Sequence, residues 1–377
     1  MKISVVDPST EVPRHGSGSF KRFESIQVLR AIAAVAVVLY HVREYMKVVG
    51  GVDDSIFRFF TEIFSSGATL FFCISGFLMA HLVASQYRNF LPRRLLRIYP
   101  TFFIAVALAV GLEAWAYGPQ PRPDLLPALS LLPWGPIGYP LRIEWTLVFE
   151  VFFYLVCAVF TLGRLRRLFP VFLVIWLVTI VVAVVAGLVP QSNLPTYRTI
   201  FFQWYNVYFI AGALTYHVVR RLPALPAVYC YALLAVIIPL IVFWPLLKTI
   251  PVFWANEQFI LVGLMVAILV VALSLPMRVP AWVSNLAIKL GDYSYGIYLI
   301  HVPVMVAIIA TYTYRFGPPN SLVALAALLA CMVVGWYLGK LDVRIHQWIG
   351  KRIFRVRQPT AIEGALEQVV SEPVRQN

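Results

Sequence analysis

Long apolar stretches separated by short polar segments occupy most of the chain. Ten of these stretches approach or exceed the roughly 17–25 residues that a helix needs to cross a bilayer. They are approximately 26–47, 65–83, 98–116, 146–162, 168–188, 199–216, 228–245, 258–274, 286–310 and 321–339. The pattern predicts an all-α, polytopic membrane protein with about ten transmembrane helices. We expect a membrane domain over 25–350, flanked by flexible polar tails over 1–24 and 351–377.

Composition and charge agree with a membrane location. Hydrophobic residues make up 60% of the chain and charged residues 13%, against roughly 25% charged residues in soluble domains. With the N-terminus in the cytoplasm, 22 of the 31 Lys and Arg residues fall in cytoplasmic segments and six in outer loops. This asymmetry predicts that both termini are cytoplasmic. It also explains the net charge of +14 by orientation and by contact with anionic lipids, so we expect no nucleic-acid partner.

The longest connection between predicted spans covers residues 117–145. It contains PQPRPDLLP and LLPWGPIGYP, which are too rich in proline for a long helix but apolar enough to pack against other elements. We expect this segment to fold back onto the bundle as a lid on its outer face.

Arg30 and His41 are ionisable residues inside the first predicted span, SIQVLRAIAAVAVVLYHV. Because such a side chain costs about 2.5–3.5 kcal/mol in hydrocarbon, its presence there is a hypothesis of function. At about 1.5 Å per helical residue, the two lie roughly 16 Å apart along the axis. His41 falls about 22 Å into a core of roughly 30 Å, which predicts a position in the outer third of the membrane.

Glu150 lies in the fourth predicted span, about one and a half turns after Trp145, which puts it roughly 8 Å from the outer side. We therefore expect Glu150 to meet His41. A carboxylate beside an imidazole fixes its tautomer and raises its basicity, which lets histidine take a proton from a hydroxyl. The alternative is a buried polar pair that only locks two helices together.

Arg93, Arg94 and Arg97 follow Pro92 in QYRNFLPRRLLRIYP, where proline suits the first turn of a helix. Three cations at a helix N-terminus oppose the helix dipole. An anion bound to the free amides and guanidinium groups would remove that cost, so the cluster predicts a phosphate site at the cytoplasmic surface. The alternative is an ordinary cluster of positive-inside residues.

Two further segments hold polar residues within predicted spans. FFCISGFLMAH places Ser75 and Gly76 near the middle of the second span, which favours close helix packing with a hydroxyl bonded across the interface. GDYSYGIYLIHVPV places Tyr295, Tyr298 and His301 on a helix that we expect to face the bundle interior. His301 either lines a cavity or is a core histidine with satisfied hydrogen bonds.

Metal and redox chemistry find no support in the sequence. The four cysteines lie within apolar spans without paired spacing, which is typical of small buried hydrophobes rather than disulfides or metal ligands. They are Cys73, Cys157, Cys230 and Cys331. No metal-ligand cluster or glycine-rich phosphate loop is present.

Five blocks, in the order LRAIAAVAVVLYH, FFCISGFLM, RRLLRIYP, WTLVFEVFFYL and SYGIYLIHVPV, resemble the signature blocks of the membrane-bound acyltransferase 3 family over about residues 24–350. They are most similar to the branch of exopolysaccharide and Nod-factor O-acetyltransferases. The family's motif residues correspond here to Arg30, His41, Arg94, Arg97, Glu150, Ser75, Gly76 and Phe77. The closing segment LDVRIHQWIGKRI resembles the family's acidic ending only loosely, which leaves the role of Asp342 open.

The resemblance implies transfer of an acyl group, usually acetyl from acetyl-CoA, to a sugar hydroxyl in a bacterial inner membrane. The acceptor would be an exopolysaccharide, a lipopolysaccharide or a lipid-linked oligosaccharide. Polysaccharide assembly machinery would be a candidate partner. Acetyl-CoA would be a donor substrate rather than a permanently bound cofactor. Its phosphates would bind the arginines, Arg30 would steady it, and His41 oriented by Glu150 would deprotonate the acceptor. The alternative chemical route passes through an acyl-histidine intermediate. The alternative function is that of a non-catalytic carrier or flippase for an anionic or glycolipid substrate.

Overall fold

The computed structural model of the protein describes residues 17–52, 56–85, 87, 89–222, 225–275 and 280–353. Helices account for 80% of the structure, and no strand occurs within these ranges. The predicted all-α class is therefore confirmed.

Thirteen α-helices are present among the described residues, and each of the ten predicted stretches overlaps at least one of them. They are α1 (Ser17–Val48), α2 (Gly67–Ala84), α3 (Phe90–Tyr117), α4 (Leu125–Ser130), α5 (Glu144–Phe160), α6 (Phe169–Val185), α7 (Tyr205–Val219), α8 (Ala227–Val242), α9 (Trp244–Leu247), α10 (Pro251–Ala255), α11 (Glu257–Ser274), α12 (Ala281–Phe316) and α13 (Ser321–Ile353). The first helix starts before the expected boundary at residue 25. The predicted C-terminal tail lies outside the described residues from 354 onward.

Six segments within the described residues are long and apolar enough to cross a membrane. They are Glu24–Val48, Glu62–Ala84, Phe90–Tyr117, Glu257–Ser274, Ala281–Phe316 and Ser321–Ile353. Two shorter apolar helices are α6 and α8. The chain is thus a helical membrane protein, whereas the count of ten crossings and the side of each terminus stay predictions.

Glycines allow α2 and α7 to pack with their backbones in contact. A Cβ on Gly76 would clash with the carbonyl oxygen of Phe209, and a Cβ on Gly212 would clash with that of Cys73. This reciprocal arrangement is the close approach that small residues permit between membrane helices.

The contacts between helices also define their relative directions. Gln27 touches Gly291 near the starts of α1 and α12, and His41 meets His301 farther along both helices. The two helices therefore run in the same direction. α13 runs opposite to α12, since Cys331 near its start contacts His301 and Gly339 contacts the earlier part of α12. These are the directions that alternating crossings predict.

The proline-rich connection between α3 and α5 contains only the six-residue helix α4. It is anchored to α3, because Tyr99 Oη donates a hydrogen bond to Ser130 O at 2.6 Å. Leu141 is fully buried just before α5 begins. The carboxylate of Glu144, also fully buried, accepts hydrogen bonds from the N–H groups of Leu141 at 2.6 Å and Ile143 at 3.1 Å. The first turn of α5 thus begins inside the protein rather than at its surface.

Candidate active site

A cavity of about 120 Å³ lies between α1, α2, α3, α5 and α12. Its walls combine apolar side chains from α2, such as Phe71 and Leu78, with polar side chains from all five helices. Seven of the residues singled out in the sequence line it, namely Arg30, Ser75, Arg94, Arg97, Glu150, Tyr295 and Tyr298. Residues from four predicted spans and from the start of α3 therefore meet at one place.

Arg97 is held in the cavity wall by Asp342 of α13, with which it forms an ion pair. Asp342 is completely buried and also accepts a hydrogen bond from Thr101 Oγ1 at 2.6 Å. His346, one turn later on α13, lies 3.3 Å from the same carboxylate and 3.0 Å from Leu96 O. The network fixes the start of α3 against α13. Sequence reasoning left Asp342 without a role, although an Asp and a His four residues apart on one helix face were a visible signal.

Arg94 and Arg30 carry the remaining positive charge of the cavity wall. The Nε of Arg94 is buried and has no hydrogen-bond partner among the described residues. Arg30 Nη1 donates to Gln27 Oε1 at 3.2 Å, an interaction with an uncharged group. Among the described residues that line the cavity, Glu150 is the one acidic side chain against three arginines, of which Arg97 is paired with Asp342. Because Arg30 and Arg94 still outnumber Glu150, the cavity favours an anionic ligand. Guanidinium groups bind phosphate and carboxylate oxygens through charge-assisted hydrogen bonds.

Arg93 takes a different direction from its neighbours. Its Nη1 donates to Tyr87 Oη at 3.1 Å, and its guanidinium carbon lies 5.2 Å from the centre of the Tyr87 ring. It is not among the residues that line the cavity. Of the four arginines expected to bind the donor, Arg30, Arg94 and Arg97 therefore line the cavity, and Arg93 stacks on a tyrosine.

Glu150 binds two hydroxyl groups inside the cavity. Its carboxylate accepts a hydrogen bond from Tyr154 Oη, and Ser75 Oγ lies 3.4 Å from the same oxygen. Tyr154 is nearly fully buried, at 3% exposure. Sequence reasoning missed Tyr154, although a residue four positions after Glu150 lies on the same helix face.

His41 pairs with His301 rather than with Glu150. Its Nδ1 lies 2.9 Å from Val37 O and 3.2 Å from His301 Nε2, and the two ring centres are 5.0 Å apart. A carbonyl oxygen only accepts hydrogen bonds, so Nδ1 carries the proton in neutral His41. Nε2 is consequently left with a lone pair, as a general base requires.

The structure does not form the expected pair of His41 and Glu150. That expectation treated the start of α5 as lying at the outer surface, but Leu141 and Glu144 are fully buried. Because the preceding connection extends into the bundle, Glu150 lies deeper than a count from Trp145 indicates. It meets the arginines instead of the histidine.

The other candidate residues contribute to packing around the cavity. Phe77 packs edge-on against Tyr216 with ring centres 5.5 Å apart, and Trp145 lies 4.9 Å from the Tyr205 ring. Tyr298 lines the cavity and its hydroxyl donates to Thr146 Oγ1 at 3.0 Å, while its backbone oxygen lies 2.7 Å from His301 Nδ1. Tyr298 therefore connects the cavity to the histidines.

The hydroxyl of Tyr295 donates to Ile98 O at 2.9 Å. Its ring also lies beneath a guanidinium group, with Arg97 Cζ 5.3 Å from the ring centre. Tyr295 thus ties α12 to the first turns of α3.

Metal-ligating side chains do not cluster within the described ranges, where no three His, Cys, Asp or Glu residues come together. The four cysteines are free and buried.

The helices and the site define a class: a helical membrane protein with an arginine-lined internal cavity and a hydrogen-bonded pair of histidines, His41 and His301. The acyltransferase domain that defines the acyltransferase 3 family matches residues 23–340 of the 377, and the chain belongs to this family. No curated protein and no solved structure matches the chain. Membership of the family supports an acyltransferase activity carried by a membrane protein.

Proposed function

We propose that the protein is a membrane-embedded O-acyltransferase that moves an acetyl group from acetyl-CoA to a sugar hydroxyl. The acceptor is an exopolysaccharide, a lipopolysaccharide or a lipid-linked oligosaccharide at the bacterial inner membrane. The observation that carries the proposal is the hydrogen bonding of His41, which leaves its Nε2 as a base on the same helix as the cavity residue Arg30. Family membership supports acyl transfer as the reaction.

The arginine-lined cavity is the proposed donor site. Arg94 and Arg97 of α3 bind the phosphates of CoA, and Arg30 of α1 steadies the donor. Arg30 and His41 are separated by eleven residues of helix, or roughly 16 Å. The pantetheine arm of CoA, being long and narrow, spans this separation and brings the thioester towards His41.

In the proposed reaction, His41 Nε2 takes the proton of the acceptor hydroxyl as the oxygen attacks the thioester carbonyl. A carbon–oxygen bond forms and the carbon–sulfur bond breaks. The sulfur of CoA leaves with the electron pair and receives the proton from His41, so that an ester and free CoA are the products. Holding donor and acceptor together supplies much of the acceleration, and proton transfer contributes about 10²–10⁴-fold.

Glu150 has a different role from the one its sequence position indicated. Its carboxylate holds Tyr154 and Ser75 and faces the arginines across the cavity. We therefore assign it to shaping the donor site and balancing its charge, rather than to orienting His41.

Acceptor-dependent release of CoA tests the proposal. Purified protein receives acetyl-CoA with or without surface polysaccharide from a host strain that lacks the gene, and free thiol is measured. We expect CoA release only when the polysaccharide is present, and a loss of at least about 100-fold in His41→Ala. His217→Ala, at a partly buried histidine of α7 that contacts Phe169, is the matched control.

Three results would oppose this proposal. Full activity in His41→Ala would remove its catalytic centre. Movement of polysaccharide precursor across vesicle membranes without consumption of acetyl-CoA would indicate a carrier. Acetyl-protein formed with donor alone, and absent from His41→Ala, would replace direct transfer by an acyl-histidine route.

A further inference from the structure

His301 is a completely buried residue of α12 whose ring makes two directed contacts. Its Nδ1 lies 2.7 Å from Tyr298 O, and its Nε2 lies 3.2 Å from His41 Nδ1. The two histidines are 260 positions apart in the chain. They meet because α1 and α12 run side by side in the same direction.

The hydrogen-bond partners determine which nitrogen of His301 carries the proton. Tyr298 O is a carbonyl oxygen and accepts only, so Nδ1 of neutral His301 is the protonated nitrogen. Its Nε2 then carries a lone pair. That lone pair faces the N–H of His41 Nδ1, which is a donor for the same reason. Donor and acceptor are therefore matched across the two helices without any ionised group.

We propose that His301 is a positioning residue for the acyl transfer, an inference that rests on the proposed function. By accepting the Nδ1–H of His41, it fixes the orientation of the His41 ring and keeps Nε2 directed at the acceptor hydroxyl. It also stabilises the ring after Nε2 has taken the proton. His41 is then a cation, and its Nδ1–H becomes a charge-assisted donor, which binds an acceptor more strongly than a neutral donor does.

Val37 O does not replace His301 in this role. Val37 precedes His41 by four residues in α1, so its carbonyl already accepts the backbone N–H of His41 within the helix. The lone pair of His301 Nε2 has no such competing donor among its described contacts. It is therefore the acceptor that responds when the charge on His41 changes.

Two substitutions at His301 separate positioning from simple packing. His301→Leu keeps an apolar side chain in the core but removes both ring nitrogens. In His301→Gln, the side-chain amide retains one acceptor and a donor. Cys331→Ala is the matched control, because Cys331 Sγ contacts the backbone oxygen of His301 at 3.2 Å and does not involve its ring.

We expect His301→Leu to lower kcat about 10- to 100-fold, the equivalent of one charge-assisted hydrogen bond. The KM for acetyl-CoA should stay within about twofold, since His301 lies outside the arginine-lined cavity. His301→Gln should recover at least about threefold of the lost kcat, and Cys331→Ala should keep the wild-type value. The inference fails if His301→Leu turns over like wild type, or if the Leu and Gln variants fall equally although both are folded.

A spectroscopic measurement tests the same pair without turnover. In solid-state NMR of protein labelled with ¹⁵N-histidine, with His41→Gln used for assignment, His41 should show a protonated Nδ1 and an unprotonated Nε2. The Nδ1 signal should move in His301→Leu and stay in Cys331→Ala. An unchanged signal in His301→Leu would overturn the inference. Failure of the proposed function is distinguishable, because wild-type protein would then release no CoA with polysaccharide present.

Discussion

Arg94 has a buried Nε without a hydrogen-bond partner among the described residues, and it lines the cavity. Leaving a buried donor unpaired costs about 1–3 kcal/mol. An anion bound in the cavity would remove this cost by accepting the hydrogen bond. The Nε of the neighbouring Arg93 is buried as well, but the guanidinium group of Arg93 stacks on Tyr87 and does not line the cavity.

Substituting these neighbours should separate donor binding from general positive charge. We expect Arg94→Gln to raise the KM for acetyl-CoA about 10- to 100-fold, because a charge-assisted hydrogen bond is lost. Arg93→Gln removes the same charge at the adjacent position and should change KM by less than about threefold. Steady-state kinetics of CoA release give both values. Equal effects would mean that the arginines act only as a diffuse positive cluster.

Asp342 should matter for stability as well as for the site. Asp342→Asn leaves Arg97 without its carboxylate, and we expect a loss of about 1–3 kcal/mol in the free energy of unfolding. The value is moderate because the Arg97 side chain keeps 27% exposure and is partly screened by water.

Thermal unfolding in detergent measures this loss. Glu113→Gln, which breaks the more exposed ion pair with Arg122, should cost less than about 1 kcal/mol. If the two substitutions proved equally costly, the buried network around Asp342 would not be what anchors α3.

At the residue scale, the sequence drew attention to positions where burial makes a side chain expensive. Arg30 and His41 stood out because charged or titratable groups are costly in a membrane. The partner of His41 was out of reach, because it depends on how deep each helix begins. The sequence showed where the fourth apolar stretch started, but not that the connection before Glu144 is buried.

At the scale of elements, the contact between α2 and α7 leads to a test of packing. Gly76→Ala would place a methyl group against the Phe209 carbonyl, and such overpacking costs about 1–3 kcal/mol. Gly111→Ala is the matched control, because Gly111 of α3 has nothing within 4 Å of the added carbon. It should be neutral or stabilising. Thermal unfolding compares the two, and equal midpoints would show that α2 and α7 separate easily.

Helices could be predicted well because a run of apolar residues fixes both the element and its environment. All ten apolar stretches overlap helices. The conformations of the connections between helices were harder to predict from the sequence. Proline in residues 117–145 excluded a long helix correctly, and α4 is six residues long. Whether such a segment lies over the bundle or enters it depends on contacts such as Tyr99 with Ser130, which periodicity does not encode.

For the molecule as a whole, the number of crossings is open to a direct experiment on α6. This helix is shorter than the six long candidate spans, and it separates Arg164 from Asn193. If α6 crosses the membrane, a cysteine at Asn193 should react with an impermeant maleimide from outside. One at Arg164 should react only after permeabilisation. Because the native cysteines are buried, the background is low.

Gln120→Cys provides the reference for the outer side, since α3, a long candidate span, ends just before it. Labelling of Arg164→Cys and Asn193→Cys from the same side would exclude a crossing at α6. It would also reduce the count of ten.

Relative helix directions were implied by the sequence once the crossings were counted, because successive spans alternate. Which helices become neighbours was not implied. α1 packs on α12, far away in the chain, through backbone contact at Gly291. One glycine among the 21 in the chain does not identify its partner.

The distance in sequence between the two histidines has a consequence for biogenesis. During synthesis the chain emerges from its N-terminus, so His41 enters the membrane long before α12 has been translated. A nascent or truncated chain therefore holds His41 without the side chain that pairs with it. Under the mechanism inferred above, such a chain transfers acyl groups at least about 10-fold more slowly. The full catalytic rate therefore reports that α12 has been inserted.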